Sequence, residues 1–168
     1  MEALLAVSRS MVALAARNLA TLGADVTLPQ YRTLVLLAGG GPQRGAALAK
    51  ELGVAPSTLT RMCDRLVRKS LVVRFHRYHD RRSIWLGLTP AGRDLVGVVM
   101  SARRRELEEI VRAGALSAAG ADLTLMQAFV RASGELPDDE WWRNWRTSAD
   151  PVDGAQPMRP ERAADALN

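Results

Sequence analysis

The chain has 168 residues, of which 48% are hydrophobic and 24% charged, with one cysteine and a net charge of +5. One cysteine excludes an internal disulfide, and no apolar run approaches the roughly 18 residues that a membrane helix needs. The N-terminus lacks the order of basic start, apolar core and small-residue cleavage site of a secretion signal. We therefore expect a cytoplasmic protein of one domain with an appendage, and the Ala, Arg, Gly and Val bias is typical of a GC-rich bacterial genome.

The first two predicted elements are helices. The first carries an apolar stripe at helical spacing: Leu4, Val7, Met11, Leu14, Ala15, Leu19 and Leu22. Thr27 begins the second helix, because its hydroxyl and Gln30 three positions later make a capping box. The glycines and proline at 39–42 are expected to end this helix.

Two further helices form a helix-turn-helix pattern. The first spans residues 44–52, and Gly53 is the residue type that ends a helix in the left-handed conformation. Pro56 opens the second. Small and apolar residues stand at the offsets that let the two helices touch: Ala49, Gly53, Leu59 and Met62. The second helix is apolar on one face, at Leu59, Met62, Cys63, Leu66 and Val67. Its opposite face, which also holds Asp64, is the predicted DNA-reading surface: Pro56, Ser57, Thr58, Thr60, Arg61, Arg65 and Arg68.

A β-hairpin is predicted next. Residues 71–77 mix β-branched and aromatic types, as strands do, and an apolar strand follows a charged tip. The tip and its flank supply the predicted wing contacts: Arg77, His79, Asp80, Arg81 and Arg82. Thr89 and Pro90 then form a helix start, since threonine caps free amides and proline suits the first helical position.

The remaining chain is predicted to be helical up to a tail. Residues 89–113 form one long helix, in which arginines 103–105 pair with Glu108 and Glu109 on a solvated face. A further helix places Leu123, Met126, Phe129 and Val130 inside. The terminal helices carry more apolar surface than one small domain needs, which predicts a homodimer. Three indoles are expected to pack on the dimer helices or on the partner subunit, with a docking site for another protein as the alternative: Trp141, Trp142 and Trp145. Beyond Thr147 we expect disorder.

Charge is concentrated in the predicted hairpin and helix-turn-helix. Residues 44–93 contain eleven Lys or Arg against three acids, or +8, so the rest of the chain sums to −3. A basic segment within a weakly acidic remainder is typical of nucleic-acid binding, in which phosphates are neutralised and counterions released.

The sequence resembles the MarR family of winged helix-turn-helix transcription regulators. Three segments carry the resemblance, LPQYRTLVLLA (28–38), LAKELGVAPSTLTRMCDRLVRKSLV (48–72) and DRR…LTPAG (80–92), and the likeness extends over about residues 2–136. The family's wing pattern is matched at Asp80, Arg82, Leu88, Thr89 and Gly92. The resemblance implies a mainly α fold with a small β-wing. It also implies that Arg82 enters the minor groove and that Asp80 orients it.

The resemblance further implies the organisation and the mechanism. We expect a dimerisation helix at 1–26, the DNA-reading domain at 27–92, further dimerisation helices at 93–136 and the tryptophan-containing extension with its tail at 137–168. A homodimer would place two recognition helices in successive major grooves of a pseudo-palindromic operator, about 34 Å apart. The function expected is that of a regulator, a repressor released by a small aromatic effector. The candidate effector pocket is lined by Met11, Ala15, Tyr31 and Leu34, each of which also fits an ordinary core position.

Other classes of function fit less well. The triple glycine lacks the lysine and hydroxyl of a phosphate loop, and no nucleophile–base pair or metal constellation is evident, so an enzyme, a metal site and a cofactor are not expected. His76 and His79 are interpreted as surface or phosphate-proximal, and Cys63 as a buried structural cysteine. A winged helix that binds protein instead of DNA is the remaining alternative, although Arg61, Arg65 and Arg68 argue against it.

Overall fold

The computed structural model describes residues 2–77, 80–113, 123–147 and 156–157. The helices in these ranges are α1 (Glu2–Thr21), α2 (Leu28–Gly40), α3 (Gly45–Leu52), α4 (Pro56–Arg68), α5 (Pro90–Ala113), α6 (Leu123–Ala132) and α7 (Asp138–Thr147). The strands are β1 (Gln43–Arg44), β2 (Val72–Arg77), β3 (Asp80–Leu88) and β4 (Gln156–Pro157). The predicted fold class, mainly helical with a small β-wing, is confirmed. No described helix is long and apolar enough to cross a membrane.

The strands form one antiparallel sheet in the order β1-β3-β2-β4. Its centre is the predicted hairpin, in which Val72 pairs with Leu88 and Arg77 pairs with Asp80 across an irregularity after Phe75. Strand β3 begins at Asp80, earlier than predicted, because Asp80 pairs with Arg77 at the end of β2. The two outer strands, β1 and β4, were not predicted.

One core joins α2, α3 and α4 to α5. Leu34, Leu48, Leu66 and Val96 from α2, α3, α4 and α5 are completely buried within it. Burying side chains of this size is the main force that holds the three short helices together. The orientation of α3 and α4 is therefore fixed by the same core that supports α5.

Helix α2 starts as predicted and ends within the predicted glycine break, at Gly40. Both halves of the capping box are present, with the Gln30 amide donating to Thr27 Oγ1 and the Thr27 amide donating to Gln30 Oε1. The helix continues through Gly39 and Gly40, although glycine is a poor helix former. Gly39 is needed because Trp141 packs on it: a Cβ there would lie 2.5 Å from Trp141 Cδ1.

The tryptophan helix α7 lies against α2 and α5. Trp141 Nε1 donates to the Val35 carbonyl of α2, and Trp145 packs over Gly97 of α5. Trp145 thus packs on α5, one of the predicted dimerisation helices, whereas Trp141 packs on α2, which lies outside them. The glycines of α2 and α5 provide the shallow surfaces that an indole can approach.

The junction between α4, the hairpin and α5 is closed by Thr89. Its hydroxyl donates to the Ser70 carbonyl over 2.6 Å and accepts from the Gly92 amide over 3.0 Å, while its own amide donates to the Leu71 carbonyl. The predicted cap is thus confirmed, and it also ties the C-terminal end of α4 to the N-terminal end of α5.

Helix α1 is attached to α5 and leaves many apolar side chains uncovered. Glu106 of α5 accepts from Arg17 Nη2 over 2.9 Å and from Asn18 Nδ2 over 2.7 Å, and these hydrogen bonds hold the pKa of the Glu106 carboxyl below its usual range. Exposed large apolar residues on α1, α5 and α6 are Leu4, Leu5, Val7, Val12, Val98, Ile110, Val111, Met126 and Phe129. A single copy of the chain therefore leaves part of the surface that the sequence assigned to dimerisation uncovered, although Leu14 and Leu19 of that surface are buried.

Candidate nucleic-acid interface

Helix α4 is two-sided, as its sequence predicts. Its extended N-cap residue, Ala55, precedes Pro56 at the first helical position, where a missing amide costs nothing. The buried face consists of Leu59, Met62, Cys63 and Leu66. The exposed predicted contacts are Pro56, Ser57, Thr58, Arg61, Arg65 and Arg68. Burial of the first face holds the second towards solvent, where short hydroxyls and long cations can reach a groove.

Three polar residues on the predicted reading face have partners within the chain, and one of them is Arg68, whose Nε donates to the Asp64 carbonyl over 3.4 Å. Thr60 is half-buried, and its hydroxyl donates back to the Pro56 carbonyl over 3.0 Å. Asp64 forms an ion pair of 2.7 Å with Arg74 of β2, and the same guanidinium donates to the Thr60 carbonyl over 3.3 Å. Arg74, which the sequence did not single out, therefore fixes the hairpin against the recognition helix.

The turn between α3 and α4 has the predicted geometry. Gly53 is left-handed, with φ 65° and ψ 31°, and its amide donates to the Lys50 carbonyl over 3.1 Å. Ala49 is buried in the core that α3 shares with α4. A larger residue there would push α4 away from α3, which explains the small-residue requirement of the motif.

The hairpin presents Arg77, which is exposed and stacks on Trp85 of β3 with its guanidinium carbon 3.8 Å from the ring centroid. His76 is half-buried, and its Nδ1 lies 3.1 Å from the Ser83 carbonyl oxygen. The other predicted wing contacts are not part of this geometry, because His79 and the side chains of Asp80, Arg81 and Arg82 lie outside the described residues.

Arg44 is a basic residue of this surface that sequence reasoning missed. It forms strand β1, pairs with Trp85 in register and places its guanidinium carbon 5.4 Å from the centroid of that ring. The two-residue strand has no recognisable pattern. The sequence feature that could have indicated this contact is a tryptophan in a hairpin that is otherwise bordered by arginines.

The candidate effector residues lie where α1, α2 and α5 meet. Tyr31 and Leu34 are buried, and Met11 and Ala15 are half-buried. Arg103 of α5 connects this group, since its Nη2 lies 3.8 Å from Met11 Sδ and its charge partly offsets the rise that burial causes in the pKa of Tyr31. The buried Tyr31 hydroxyl has no hydrogen-bond partner among the described residues.

Cys63 is a buried thiol on the inner face of α4, as predicted. It is 1% exposed, and burial raises its pKa to about 11. A thiol that is protonated at neutral pH and shielded from solvent is a poor nucleophile. Among the described residues, no group of three or more His, Cys, Asp or Glu side chains is placed to hold a metal ion.

Comparison with known sequences points to one family. The sequence model of the MarR family matches residues 26–84, which include α2, α3, α4 and most of the hairpin. The repressor MdtR of Bacillus subtilis (strain 168) is 40% identical over 67 residues, covering 40% of this chain and 43% of that protein. The multiple antibiotic resistance protein MarR of Salmonella typhimurium is 35% identical over 68 residues, covering 40% and 47%. The chain thus spans less than half the length of each of these curated relatives.

Solved structures extend the likeness to most of the chain. The protein RV1404 of Mycobacterium tuberculosis is 40% identical, with a TM-score of 0.74 over 82% of this chain and 93% of that one. Wild-type MarR from E. coli is 25% identical, with a TM-score of 0.63 over 81% and 95%. Since the family sequence, the fold and the two-sided recognition helix coincide, the chain belongs to the MarR family of winged helix-turn-helix transcription regulators.

Proposed function

We propose that the protein is a sequence-specific DNA-binding regulator that acts as a homodimer on a pseudo-palindromic operator. It represses transcription from that site and is released by a small aromatic effector. The observation that carries the proposal is the outer face of α4, where Ser57, Thr58 and Arg61 are held outwards by a buried apolar stripe.

The residue types on this face suit base reading. Ser57 and Thr58 are short and lie in the first turn, where a helix that enters the major groove comes closest to the base edges. Arg61 is one turn further along, and a guanidinium can donate two hydrogen bonds to guanine. Arg65 and Arg68 continue the exposed row and would contact phosphates.

The uncovered apolar residues of α1 and α6 support the homodimer. Met126 is 50% exposed and Phe129 is 56% exposed, on the same side of α6. Burying on the order of 2,000 Å2 of such surface, at about 25 cal/mol per Å2, would outweigh the entropy of association.

The surroundings of Tyr31 support the binding of an aromatic effector. A buried hydroxyl without a described partner beside the cationic Arg103 and the soft sulfur of Met11 would suit an aromatic ligand with an acidic group. Such a ligand would lie between the dimer helices and the DNA-reading domain, where its binding would change the distance between two recognition helices.

The proposal is tested by fluorescence anisotropy with labelled genomic fragments, including the promoter of the protein's own gene. Tight, salt-sensitive binding to a fragment with an inverted repeat, and release by aromatic acids, is the expected result. Equal affinity for every fragment at physiological salt would contradict specific regulation and would favour a protein-binding winged helix.

Replacing Arg61 with alanine should weaken operator binding by about 1–3 kcal/mol and relax the preference at one base position in each half-site. The reason is that Arg61 is exposed on the face of α4 opposite the buried stripe. Arg143→Ala, which removes an exposed arginine of α7, is the matched control and should leave affinity unchanged. An equal loss on operator and random duplexes would instead make Arg61 a phosphate contact.

Replacing Arg82 with alanine should weaken binding to all sequences and reduce the preference for A·T-rich flanks. Arginine is favoured in a narrow, electronegative minor groove, and loss of one such contact lowers the salt slope by about one phosphate equivalent or less. The measurement is anisotropy over a salt series, with Arg105→Ala on α5 as the control. Wild-type affinity in a folded Arg82→Ala protein would remove Arg82 from the interface.

A further inference from the structure

Three strands of the sheet bring two arginines to one tryptophan. Trp85 on β3 is paired in register with Arg44 of β1, and Arg77 ends β2 on the other side. The guanidinium carbons of Arg44 and Arg77 are 5.4 Å and 3.8 Å from the Trp85 ring centroid. Both distances are within the range of an attractive cation–π contact, and tryptophan is the strongest partner for it.

The two arginines come from different parts of the DNA-reading domain. Arg77 belongs to the wing, and Arg44 is the N-cap residue of α3, the first helix of the helix-turn-helix. That helix crosses the DNA backbone when the second helix lies in the major groove, and its N-terminal end favours phosphate. Both arginine side chains are exposed. The stack therefore connects the wing to the end of the helix-turn-helix that approaches the backbone.

A stacked guanidinium keeps its ability to bind phosphate. Its five N–H donors lie in the plane of the group, so contact of a guanidinium face with an indole leaves edge donors for phosphate oxygens. The indole is half-buried and is paired on β2 with Phe75, which is 2% exposed, so the ring has a fixed support. Holding a long side chain in place before binding reduces the entropy that binding costs.

We propose that Trp85 is a positioning residue that holds Arg44 and Arg77 as a joint phosphate contact on the wing side of the DNA-reading surface. This inference rests on the proposed DNA-binding function and adds Arg44 to its contacts. Because phosphate contacts carry no direct sequence information, the pair contributes affinity and salt dependence and leaves base preference unchanged.

The test measures affinity for the operator and for a random-sequence duplex over a salt series. The proteins compared are wild type, Trp85→Leu, Trp85→Phe, Arg44→Gln/Arg77→Gln and the triple variant with Trp85→Leu. Trp85→Leu should weaken binding to both duplexes by about tenfold or more, since a dimer carries four contacts of the cation–π class. Its salt slope should become shallower by about 1–3, because a dimer carries four of these arginines at about 0.9 each. The affinity of Trp85→Phe, which has a smaller ring, should lie between the affinities of Trp85→Leu and wild type.

Two results separate positioning from a general structural role. The ratio of operator to random affinity should stay at the wild-type value, and Trp85→Leu should have no further effect once both arginines are glutamine. If Trp85→Leu still lowers the affinity when both arginines are glutamine, the inference is overturned. Wild-type affinity in a folded Trp85→Leu protein would also overturn it.

Charge-preserving variants provide a second test that does not depend on the folding of Trp85→Leu. Arg44→Lys and Arg77→Lys keep the charge on exposed side chains but lose the planar guanidinium face. Each variant should therefore bind both duplexes more weakly. Wild-type affinity in both lysine variants would show that an unoriented cation suffices and would contradict the stack. If wild type binds the operator specifically and only the Trp85 and lysine results fail, the proposed function stands. If the wild-type protein binds no duplex, both the proposed function and this inference are contradicted.

Discussion

Replacing Gly92 with alanine is expected to lower the free energy of unfolding by about 3 kcal/mol, at the upper end of the cost of overpacking. A Cβ at this position would lie 2.0 Å from the Leu71 carbonyl oxygen and 2.9 Å from its carbon. The obstacle is backbone, which cannot rotate away as a side chain can. Relief would require moving the start of α5 away from the end of α4, and Thr89 holds these two together.

Thermal and urea denaturation measure this effect, which corresponds to a fall in Tm of roughly 10 °C for a chain of this size. Gly45→Ala is the matched control, because no heavy atom lies within 4 Å of a Cβ at Gly45, and alanine is the better helix former there. Gly45→Ala should leave stability unchanged or raise it by about 0.5–1 kcal/mol. Equal stability of the Gly92 and Gly45 variants would contradict the close contact.

Replacing Phe129 with glutamate is expected to yield monomers and to reduce operator affinity by a factor of about 100 or more, towards the non-specific level. Phe129 is 56% exposed within the chain, so a charge there does not disturb the chain's own core. It would, however, leave an unpaired carboxylate in the proposed interface. Leu14, at 3% exposed, is buried within its own chain, and a charge at that position would test folding instead.

Sedimentation measures the oligomeric state, and anisotropy with the operator measures binding. Ala128→Glu is the control, because Ala128 is exposed and lies on the opposite side of α6 from Met126 and Phe129. That variant should remain a dimer and bind. A folded Phe129→Glu monomer with wild-type operator affinity would contradict regulation through paired recognition helices.

Features with a local cause could be predicted from the sequence. The capping box at Thr27, the left-handed Gly53, the Thr89 cap and the buried face of α4 depend on residues within one or two turns of each other. Such patterns are visible in a single sequence because helical periodicity and capping chemistry repeat from protein to protein.

Features that depend on distant partners could not be predicted. The continuation of α2 through Gly39 makes sense only with Trp141, about a hundred positions away, packed on that glycine. The pairing of Arg44 with Trp85 likewise joins a two-residue strand to a hairpin forty positions later. Helix propensity disfavours a helix at residues 39–40, and strand propensity gives no clear prediction at residues 43–44. Tertiary contacts therefore determine the structure of both segments.

The continuous helix α5 has a mechanical consequence. Its 24 residues span about 36 Å, with Thr89 and Gly92 joined to the end of α4 at one end and Glu106 joined to α1 near the other. A rigid lever of this length, tilted by about 5°, moves one end by about 3 Å relative to the other, close to the 3.4 Å between neighbouring base pairs. A rotation of about 8° where α5 meets α1, about 24 Å from the start of α5, would thus shift α4 by nearly one base-pair step.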